Sequence, residues 1–248
     1  MGYCFAIIRI GIYSIVFLVF VVIGICVHVL FFMSPPKLLK WIAFFTQLWA
    51  RVTCKVFNTQ VRIEGDTSIK PGSLIVANHV GSPDIYVLSA SFKGFFVSKS
   101  EIAEWPFLGW LVRLGKTVFA DRSKRYQVKA LIREIEQRLK SEQSVILFPE
   151  AQATEGKDVI PFKSAVFEAA VLADRPVVPI EIHYHDGHEP TIAFYGDSFI
   201  RHITELLKAP GLLATVTVLP QIPPGPKRQA LATKSYQAIR DRHDRWEA

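Results

Sequence analysis

The sequence predicts an α/β fold, with a largely parallel central sheet flanked by helices and preceded by an N-terminal two-helix membrane anchor. Two observations lead to this class. From residue 58 onwards, short apolar runs alternate with helical stretches, which is typical of parallel sheets covered by helices. Before that point, long apolar runs dominate. We therefore divide the chain into an anchoring helical hairpin, residues 1–57, and a second domain, residues 58–248, which is long enough to bury its own core.

Five apolar runs bounded by Gly, Pro or charged residues predict buried strands. They span residues 73–78, 95–99, 116–120, 144–149 and 176–184. Apolar residues at helical spacing predict one helix over 123–141, which Ser123 can cap, and another over 162–173. Residues 191–199 and 212–220 add two late strands, and a polar helix closes the chain from Lys227.

Residues 11–33 predict a membrane helix, because only His28 in this apolar run titrates near neutral pH. At about 1.5 Å per residue the helix would extend about 34 Å, enough to cross a hydrocarbon core of about 30 Å. A cleaved signal peptide is the alternative. Its apolar region normally has about 7–15 residues and ends in small residues, whereas this run ends in Leu-Phe-Phe-Met. We therefore expect the segment to be retained.

A second helix follows the break at Ser34-Pro35-Pro36. Helical spacing places its polar side chains in an arc of about 80°, with most aromatic residues outside that arc. The arc holds Lys37, Lys40, Gln47, Arg51 and Lys55. We expect this helix to lie at an anionic membrane surface, and an ordinary domain helix with one solvated stripe is the alternative. Because Arg9 stands alone on the other flank, the positive-inside bias places the second domain in the cytoplasm.

The charge and the cysteine content of the chain indicate which binding partners and which compartment to expect. Lys and Arg number 29 against 22 Asp and Glu, a net charge of +7, which favours anionic partners. The basic stretch from Lys227 to Arg245 lacks a nucleic-acid-binding module, so an anionic membrane surface explains it more simply and no nucleic acid partner is expected. Cys4, Cys26 and Cys54 are odd in number and form no disulfide framework or zinc pattern, which suits a reducing compartment.

A histidine and an aspartate follow the predicted strand 73–78. Ser82 and Pro83 are typical of a helix N-cap and first helical position, so Asp84 falls in the first helical turn. A strand-to-helix turn can bring the Asp84 carboxylate to one imidazole nitrogen of His79, and the other nitrogen can then accept a proton from a hydroxyl. This is the arrangement of an oriented general base. The alternative is a capping aspartate beside an unrelated histidine.

The sequence offers no nucleophile for a covalent intermediate. It contains no Gly-x-Ser-x-Gly elbow, and no cysteine is near His79 along the chain. Ser82 is close, but its position before Pro83 suits capping better than attack. A histidine–aspartate pair alone favours direct deprotonation of an acceptor hydroxyl.

Four ordered segments carry a family resemblance. They are Asn78-His79-x4-Asp84, residues 115–122, Phe148-Pro149-Glu150 and Val178-Pro179-Ile180. Together with residues 97–101 and 105–109, they resemble the motifs of the membrane-bound glycerophospholipid acyltransferase family, which contains the lysophosphatidic acid acyltransferases. The resemblance covers about residues 74–181, and four motifs in order are far more specific than any single one.

The resemblance implies a reaction. His79 would be the base that activates the hydroxyl of a lysophospholipid for attack on an acyl thioester, and Asp84 would orient its imidazole. The donor would be acyl-CoA or an acyl-carrier protein as co-substrate, with no metal or other cofactor. The hairpin resembles that of many bacterial members, which implies a bacterial inner membrane with the catalytic domain, residues 58–248, on the cytoplasmic side.

The resemblance also implies the residues that bind the acceptor. Arg122, and Glu150 with its flanking loop, would bind and orient a phosphate-bearing acceptor, while Lys99 and Lys163 would add positive charge. A phosphate monoester needs guanidinium or ammonium partners, and Arg122 follows a predicted strand end. Outside such a motif, an Asp-Arg pair is usually a surface ion pair.

The third motif departs from the family pattern. It usually continues Phe-Pro-Glu-Gly-Thr, whereas Ala151 and Gln152 follow Glu150 here. The change removes a glycine with free backbone dihedrals and a threonine hydroxyl. The acceptor therefore stays open between lysophosphatidic acid, another lysophospholipid and a lyso-aminolipid such as lyso-ornithine lipid.

Residues 183–189 are as rich in histidine and acidic residues as a metal site, and His183 and His185 share one face of a predicted strand. No partner ligands of known spacing accompany them, so we prefer a strand end and turn, and no metal site is predicted.

The sequence as a whole predicts a membrane-bound acyltransferase. Two alternatives remain. One is a lipid ester or thioester hydrolase, in which water replaces the lipid hydroxyl, and the other is a non-catalytic lipid-binding membrane protein.

Overall fold

The computed structural model describes residues 2–106, 108–120, 125–154, 156–185 and 199–247. Within these ranges, helices flank one sheet. The helices are α1 (Gly2–Phe31), α2 (Pro35–Val56), α3 (Pro83–Ser91), α4 (Leu108–Leu114), α5 (Arg125–Lys140), α6 (Glu168–Ala173), α7 (Phe199–Lys208) and α8 (Arg228–Glu247). Short 3₁₀ helices span Ser100–Glu104 and Ser164–Phe167.

The sheet is mostly parallel, which confirms the predicted fold class. Its strands are β1 (Thr59–Gly65), β2 (Leu74–Ala77), β3 (Phe95–Lys99), β4 (Val118–Ala120), β5 (Val145–Leu147), β6 (Val177–Tyr184) and β7 (Leu212–Val218), in the spatial order β1-β7-β6-β2-β5-β3-β4. From β6 to β4 all pairings are parallel, while β7 runs antiparallel to β6 and β1 runs parallel to β7. The carboxyl ends of β2 to β6 therefore open on one edge.

Alternation along the strands divides the core between the two faces of the sheet. On β2, Ile75 and Ala77 pack on the face covered by α2 and α3. Leu74 and Val76 pack on the opposite face, which α5, α6 and α8 cover. Because successive strand side chains point to opposite faces, each face of this strand is buried, and α3 is held against the carboxyl-end edge.

The helix α1 is long and apolar enough to cross a membrane, by length and composition. It begins before the predicted run, at Gly2, and ends at Phe31. Many of its large apolar side chains face outward, among them Ile7, Ile15 and Leu18. The turn at Ser34 then leads into α2, with Pro35 and Pro36 at its start, where proline is tolerated because those N–H groups have no helical acceptor.

The helix α2 packs, through Ala50 and Cys54, on the face of the sheet that α3 also covers. The structure differs from the predicted polar arc at Gln47, which is buried and donates to the carbonyl of Ala90 in α3 at 3.3 Å. The Arg51 guanidinium donates to the same carbonyl at 3.2 Å. Two side chains of the predicted polar arc therefore contact α3, because they donate hydrogen bonds to a carbonyl at the end of that helix.

The predicted flanking charge Arg9 is buried and joins α1 to two helix ends. Its guanidinium donates to Val56 at the end of α2 at 3.1 Å, and to Leu207 in α7 at 2.9 Å. It also donates to the carbonyl of Ala209. Carbonyl groups in the last turn of a helix lack intrahelical donors and carry partial negative charge. Arg9 therefore fixes the first helix to the domain.

Several elements differ from the prediction. The strand β1 was not predicted, because its side chains are mostly exposed and its partner β7 lies far along the chain. The predicted helix over 162–173 is divided into a 3₁₀ helix and the short α6. The predicted strand over 191–199 lies outside the described residues except for Phe199, which begins the unpredicted α7.

Candidate active site

The side chain of Asn78 extends the pairing between β2 and β6 beyond the last residue of β2. Its amide nitrogen donates to the Ile182 carbonyl at 2.9 Å, and its oxygen accepts from the Ile182 N–H at 2.8 Å. These bonds satisfy buried backbone groups that a strand neighbour would otherwise pair. The main chain can therefore turn at His79 towards α3 without leaving β6 unpaired.

The structure brings His79 and Asp84 together across this turn. Nδ1 of His79 lies 2.7 Å from Oδ2 of Asp84. A carboxylate only accepts hydrogen bonds, so Nδ1 carries the hydrogen and Nε2 of the neutral ring carries the lone pair. The His79 side chain is 22% exposed while the Asp84 side chain is 0% exposed. The basic Nε2 of His79 is thus accessible, while the buried Asp84 fixes the orientation of the ring.

The buried Asp84 carboxylate is held by further donors. Its Oδ2 also accepts from the backbone N–H groups of Val80 at 2.8 Å and Gly81 at 3.1 Å. Its Oδ1 accepts from the Tyr184 hydroxyl at 2.7 Å. Burying a charge is costly unless it is paired or hydrogen-bonded, and these bonds meet that requirement while fixing the carboxylate.

Tyr184 is a site residue that the sequence analysis missed. It is the last residue of β6 and is buried against α3. Burial, with the nearby charge of Asp84, raises the pKa of its hydroxyl well above the ordinary value, so the group stays protonated and donates. Alternation in β6 places Tyr184 on one face with Ile180 and Ile182, but the sequence does not reveal that β6 lies beside β2.

Glu150 supports the backbone of His79 from the end of β5. Its Oε1 accepts the His79 N–H at 3.1 Å, and the side chain is buried, with 2% exposure. Burial raises the pKa of this carboxyl to about 8, against the opposing effect of its backbone hydrogen bonds with His79 and Ile160. The Glu150 carboxyl is therefore buried against the backbone of His79.

The altered third motif also contacts His79. The Thr154 N–H donates to the His79 carbonyl at 2.9 Å, and the Thr154 hydroxyl donates to it at 3.4 Å. Ala151 has φ of 67°, in the left-handed region that favours glycine. Alanine thus occupies the conformation for which the family pattern supplies glycine, and Thr154, three residues later, supplies a hydroxyl to the same loop.

The ring of Phe148 forms one wall of the pair. It stacks on the His79 imidazole with centroids 4.1 Å apart and planes 12° apart. Phe96 of the neighbouring β3 lies behind it, at 6.1 Å between centroids. The imidazole is therefore fixed by packing on one face and by Asp84 at one edge.

Ser82 does not cap α3 with its side chain. Its hydroxyl lies 2.7 Å from Nε2 of His202 in α7. Burial lowers the pKa of the His202 imidazole, which favours its neutral form. The sequence gives no sign of this contact, because 120 residues separate the two side chains along the chain. The hydrogen bond connects α7 to the turn that carries His79.

Of the predicted acceptor-binding residues, those that the structure describes lie at the edge of the sheet that carries His79. Lys99 is the exposed last residue of β3. Lys163 is exposed and its backbone N–H donates to the Pro149 carbonyl at 3.0 Å, beside Glu150. Arg122 lies outside the described residues. The structure thus places two exposed lysines on the carboxyl-end side of the sheet, where open α/β folds bind ligands.

Comparison with known proteins identifies relatives of this chain. The family model described as Acyltransferase matches residues 60–183. A lyso-ornithine lipid O-acyltransferase from Rhodobacter capsulatus is 31% identical over 213 residues, covering 81% of this chain and 76% of that protein. A 1-acyl-sn-glycerol-3-phosphate acyltransferase from Neisseria gonorrhoeae is 36% identical over 115 residues, covering 46% of this chain and 45% of that protein.

A solved structure shares the fold. The crystal structure of the 1-acyl-sn-glycerophosphate acyltransferase from Thermotoga maritima matches with a TM-score of 0.75 and 21% sequence identity, covering 100% of this chain and 96% of that one. The match extends over the N-terminal helices as well as the sheet, so both parts of the chain are common to the two structures.

Proposed function

This chain belongs to the acyltransferase family, and from that membership we propose that it transfers a fatty acyl group from a thioester donor to the hydroxyl of a lysolipid, with His79 as general base. The observation that carries the proposal is the 2.7 Å hydrogen bond from Nδ1 of His79 to the buried Asp84. This bond leaves Nε2 as the proton acceptor. The thioester donor is acyl-CoA or an acyl-carrier protein.

In the proposed reaction, Nε2 of His79 takes the proton of the acceptor hydroxyl as the oxygen attacks the thioester carbonyl. The tetrahedral intermediate then collapses with cleavage of the carbon–sulfur bond. The thiolate leaves and takes the proton from the imidazolium, so that the ester, the free thiol and the neutral histidine result. Asp84 stabilises the imidazolium and keeps the reactive tautomer. This sequence of steps requires no redox cofactor.

Glu150 and Thr154 act through His79 as positioning residues in this proposal. They bind the N–H and the carbonyl of the same residue. A base must lie within about 2.6–3.2 Å of the proton that it removes, so a shift of the His79 backbone would lower the rate. This role for Glu150 replaces direct binding of the acceptor, because its carboxyl is buried.

Two acceptors are supported to different extents. The lyso-ornithine lipid O-acyltransferase is 31% identical over an alignment that covers 81% of this chain. The 1-acyl-sn-glycerol-3-phosphate acyltransferases are 36% identical over 46% of the chain or 28% identical over 73% of it, so neither combines that identity with that coverage. We therefore take a lyso-aminolipid of the lyso-ornithine type as the first candidate and lysophosphatidic acid as the second. Lys99 and Lys163 are available to the carboxylate of the former or the phosphate of the latter.

We propose that the α1–α2 hairpin inserts into the membrane along one leaflet, on the cytoplasmic side of a bacterial inner membrane. The helix α1 contacts the rest of the chain at Arg9 and again where Gly24 meets Leu114 of α4. These contacts are about 22 Å apart along the helix. A helix that crossed the bilayer would leave the domain, so contacts along its length favour shallow insertion. Burial of its outer apolar face should resist extraction by high salt.

The experiment that tests the function uses the purified full-length protein in detergent with a labelled acyl donor. Acyl-CoA and acyl-carrier protein are each combined with lyso-ornithine lipid or lysophosphatidic acid. Formation of the diacylated lipid supports acyl transfer. Release of free fatty acid with either acceptor present would indicate a hydrolase, and the absence of both products would indicate a lipid-binding protein.

Arg122 distinguishes the acceptor classes in the same assay. If the acceptor carries phosphate, Arg122→Lys keeps the charge but loses the bidentate hydrogen bonds. Acceptor affinity should then fall by about 1–3 kcal/mol, with the donor affected much less. An unchanged Michaelis constant for lysophosphatidic acid would exclude Arg122 as its phosphate ligand.

A further inference from the structure

A second cluster of polar side chains lies on the other face of the sheet from Asp84. Glu181 and His183 are two residues apart in β6, so their side chains share the face that α8 covers. His243 of α8 completes the cluster, and one potential ligand atom from each residue lies within 4.8 Å of the others. The cluster therefore joins the last turns of the C-terminal helix to the sheet.

The Glu181 carboxylate is completely buried and only partly hydrogen-bonded. Its Oε2 accepts from the Thr217 hydroxyl at 3.4 Å and from Nε1 of Trp246 at 3.3 Å. Its Oε1 makes no hydrogen bond to the residues that the structure describes and lies 3.5 Å from Nδ1 of His243. Since a buried charge is costly unless it is paired or coordinates a metal, this oxygen points to a cationic ligand within the cluster.

The neighbouring side chains hold the three residues in place. Trp246 stacks on the His183 ring, with centroids 4.3 Å apart and planes 7° apart, and the same indole donates to Glu181. Groups that orient metal ligands from behind are a regular part of metal sites and raise their affinity. His243 is buried and His183 is partly exposed, so solvent can approach the cluster on the His183 side.

We infer that Glu181, His183 and His243 form a site for a divalent transition-metal ion, best matched by Zn²⁺, with water as the fourth ligand on the His183 side. Two imidazoles and one carboxylate are ordinary zinc ligands. Tetrahedral bonds of about 2.0–2.1 Å place ligand atoms about 3.3–3.4 Å apart. The cluster therefore needs only a modest side-chain closure around the ion.

The expected effect of the ion is to fix α8 on the sheet. It would neutralise the buried carboxylate and link a residue near the C-terminal end of the chain to β6. The site is independent of the proposed acyl transfer, because Ile182 and Tyr184, the residues between and beyond its two strand ligands, point to the opposite face. The sequence gives no sign of this site, since His243 is distant from the 183–189 segment along the chain.

The test uses the untagged full-length protein in detergent, stripped with a chelator and then titrated with Zn²⁺ or Co²⁺. We expect about one equivalent of Zn²⁺ per chain, a rise of several degrees in melting temperature, and a Co²⁺ absorption spectrum of a four-coordinate site. His183→Ala should weaken binding by about 100-fold or more, since ligand loss exceeds the about 10–100-fold effect of an outer-shell change. The matched control is His28→Ala, whose imidazole lies in α1 and bonds to the Gly24 carbonyl at 2.8 Å, and it should bind as the wild type does.

Two results would overturn the proposal. The first is the absence of any difference in Zn²⁺ binding between His183→Ala and the wild type, whether both bind the ion or neither does. The second is independent of any variant. X-ray absorption of the zinc-loaded wild type should show two imidazoles among nitrogen and oxygen ligands, and one imidazole or none contradicts the assigned site.

Discussion

The Tyr184 hydroxyl donates a 2.7 Å hydrogen bond to Oδ1 of Asp84, from the strand beside the one that leads into His79. In Tyr184→Phe the buried carboxylate loses one donor and gains freedom to move. A hydrogen bond to a charged group contributes about 1.5–3 kcal/mol, so we expect kcat to fall about tenfold or more while the acceptor KM changes little. Steady-state kinetics with labelled donor measures both constants.

The matched control is Tyr86→Phe. Tyr86 is also buried, but its hydroxyl faces Oγ1 of Thr59 at 3.4 Å rather than Asp84. This control should lose stability without a comparable loss of kcat. Equal kcat in both variants and the wild type would mean that Tyr184 does not position the aspartate.

Glu150 should make stability depend on pH. Its folded-state pKa, about 8, is above the ordinary value, so the folded protein retains a proton that the unfolded chain loses from about pH 4.5 upwards. The free energy of unfolding should therefore fall as pH rises towards 8, by at most about 1.4 kcal/mol per pH unit from this group. Glu150→Gln keeps an acceptor for the His79 N–H and removes this dependence.

Urea unfolding midpoints at pH 5 to 8 test the Glu150 prediction. The difference in stability between wild type and Glu150→Gln should grow in favour of the variant as pH rises. Glu104→Gln is the control, because Glu104 is exposed at the end of the 3₁₀ helix that follows β3, and its profile should follow the wild type. Parallel profiles for wild type and Glu150→Gln would contradict the raised pKa.

Ala151→Gly should stabilise the loop that contacts His79. At φ of 67° an alanine is strained by about 1–2 kcal/mol, which glycine relieves at an entropic cost of about 0.5–1 kcal/mol. We expect a net gain of about 0.5–1 kcal/mol in the free energy of unfolding. The control Ala153→Gly, outside the left-handed region, should lose about 0.4–1 kcal/mol. A loss of stability in Ala151→Gly contradicts the assigned backbone conformation.

Two natural cysteines report how α1 lies in the membrane. Cys4 and Cys26 are exposed near opposite ends of α1, while Cys54 is buried. In a Cys26→Ser background, Cys4 should react with a membrane-impermeant maleimide only in inverted vesicles if the helix lies along the cytoplasmic leaflet. The Cys26→Ser, Cys4→Ser double variant is the control for background labelling. Labelling of Cys4 from the outside of intact cells would mean that α1 crosses the bilayer.

The sequence predicted the sheet well because apolar strands and their boundaries are local properties. β3 has the predicted bounds, residues 95–99, and the family suggested by the four ordered motifs is confirmed by the match over residues 60–183. The parallel strand ends also follow from strand–helix alternation. The edge strand β1 was not predicted because its largely exposed segment lacks a continuous apolar run, and its order depends on pairing with β7.

Within the site, only the contacts between residues close in sequence were predictable. His79 and Asp84 are five residues apart in one turn, so their contact follows from sequence spacing. Tyr184 reaches Asp84 across 100 residues, because β6 lies next to β2. Spatial strand order is a property of the whole fold and leaves no local signal. Ala151 did leave a local signal, since it replaces the glycine of the family pattern. This departure indicates a backbone position that needs the conformational freedom of glycine.

The most direct test of the proposed mechanism is the rate of acyl transfer by His79→Ala. The purified variant is compared with wild type using the same labelled donor and lysolipid, and with His185→Ala as a histidine control outside the proposed machinery. Circular dichroism and vesicle binding check that the fold and membrane association are retained. We predict a loss of about 100-fold or more for His79→Ala, because a positioned general base contributes about that factor or more. Near-normal turnover by the folded variant would contradict the assignment of His79 as the base.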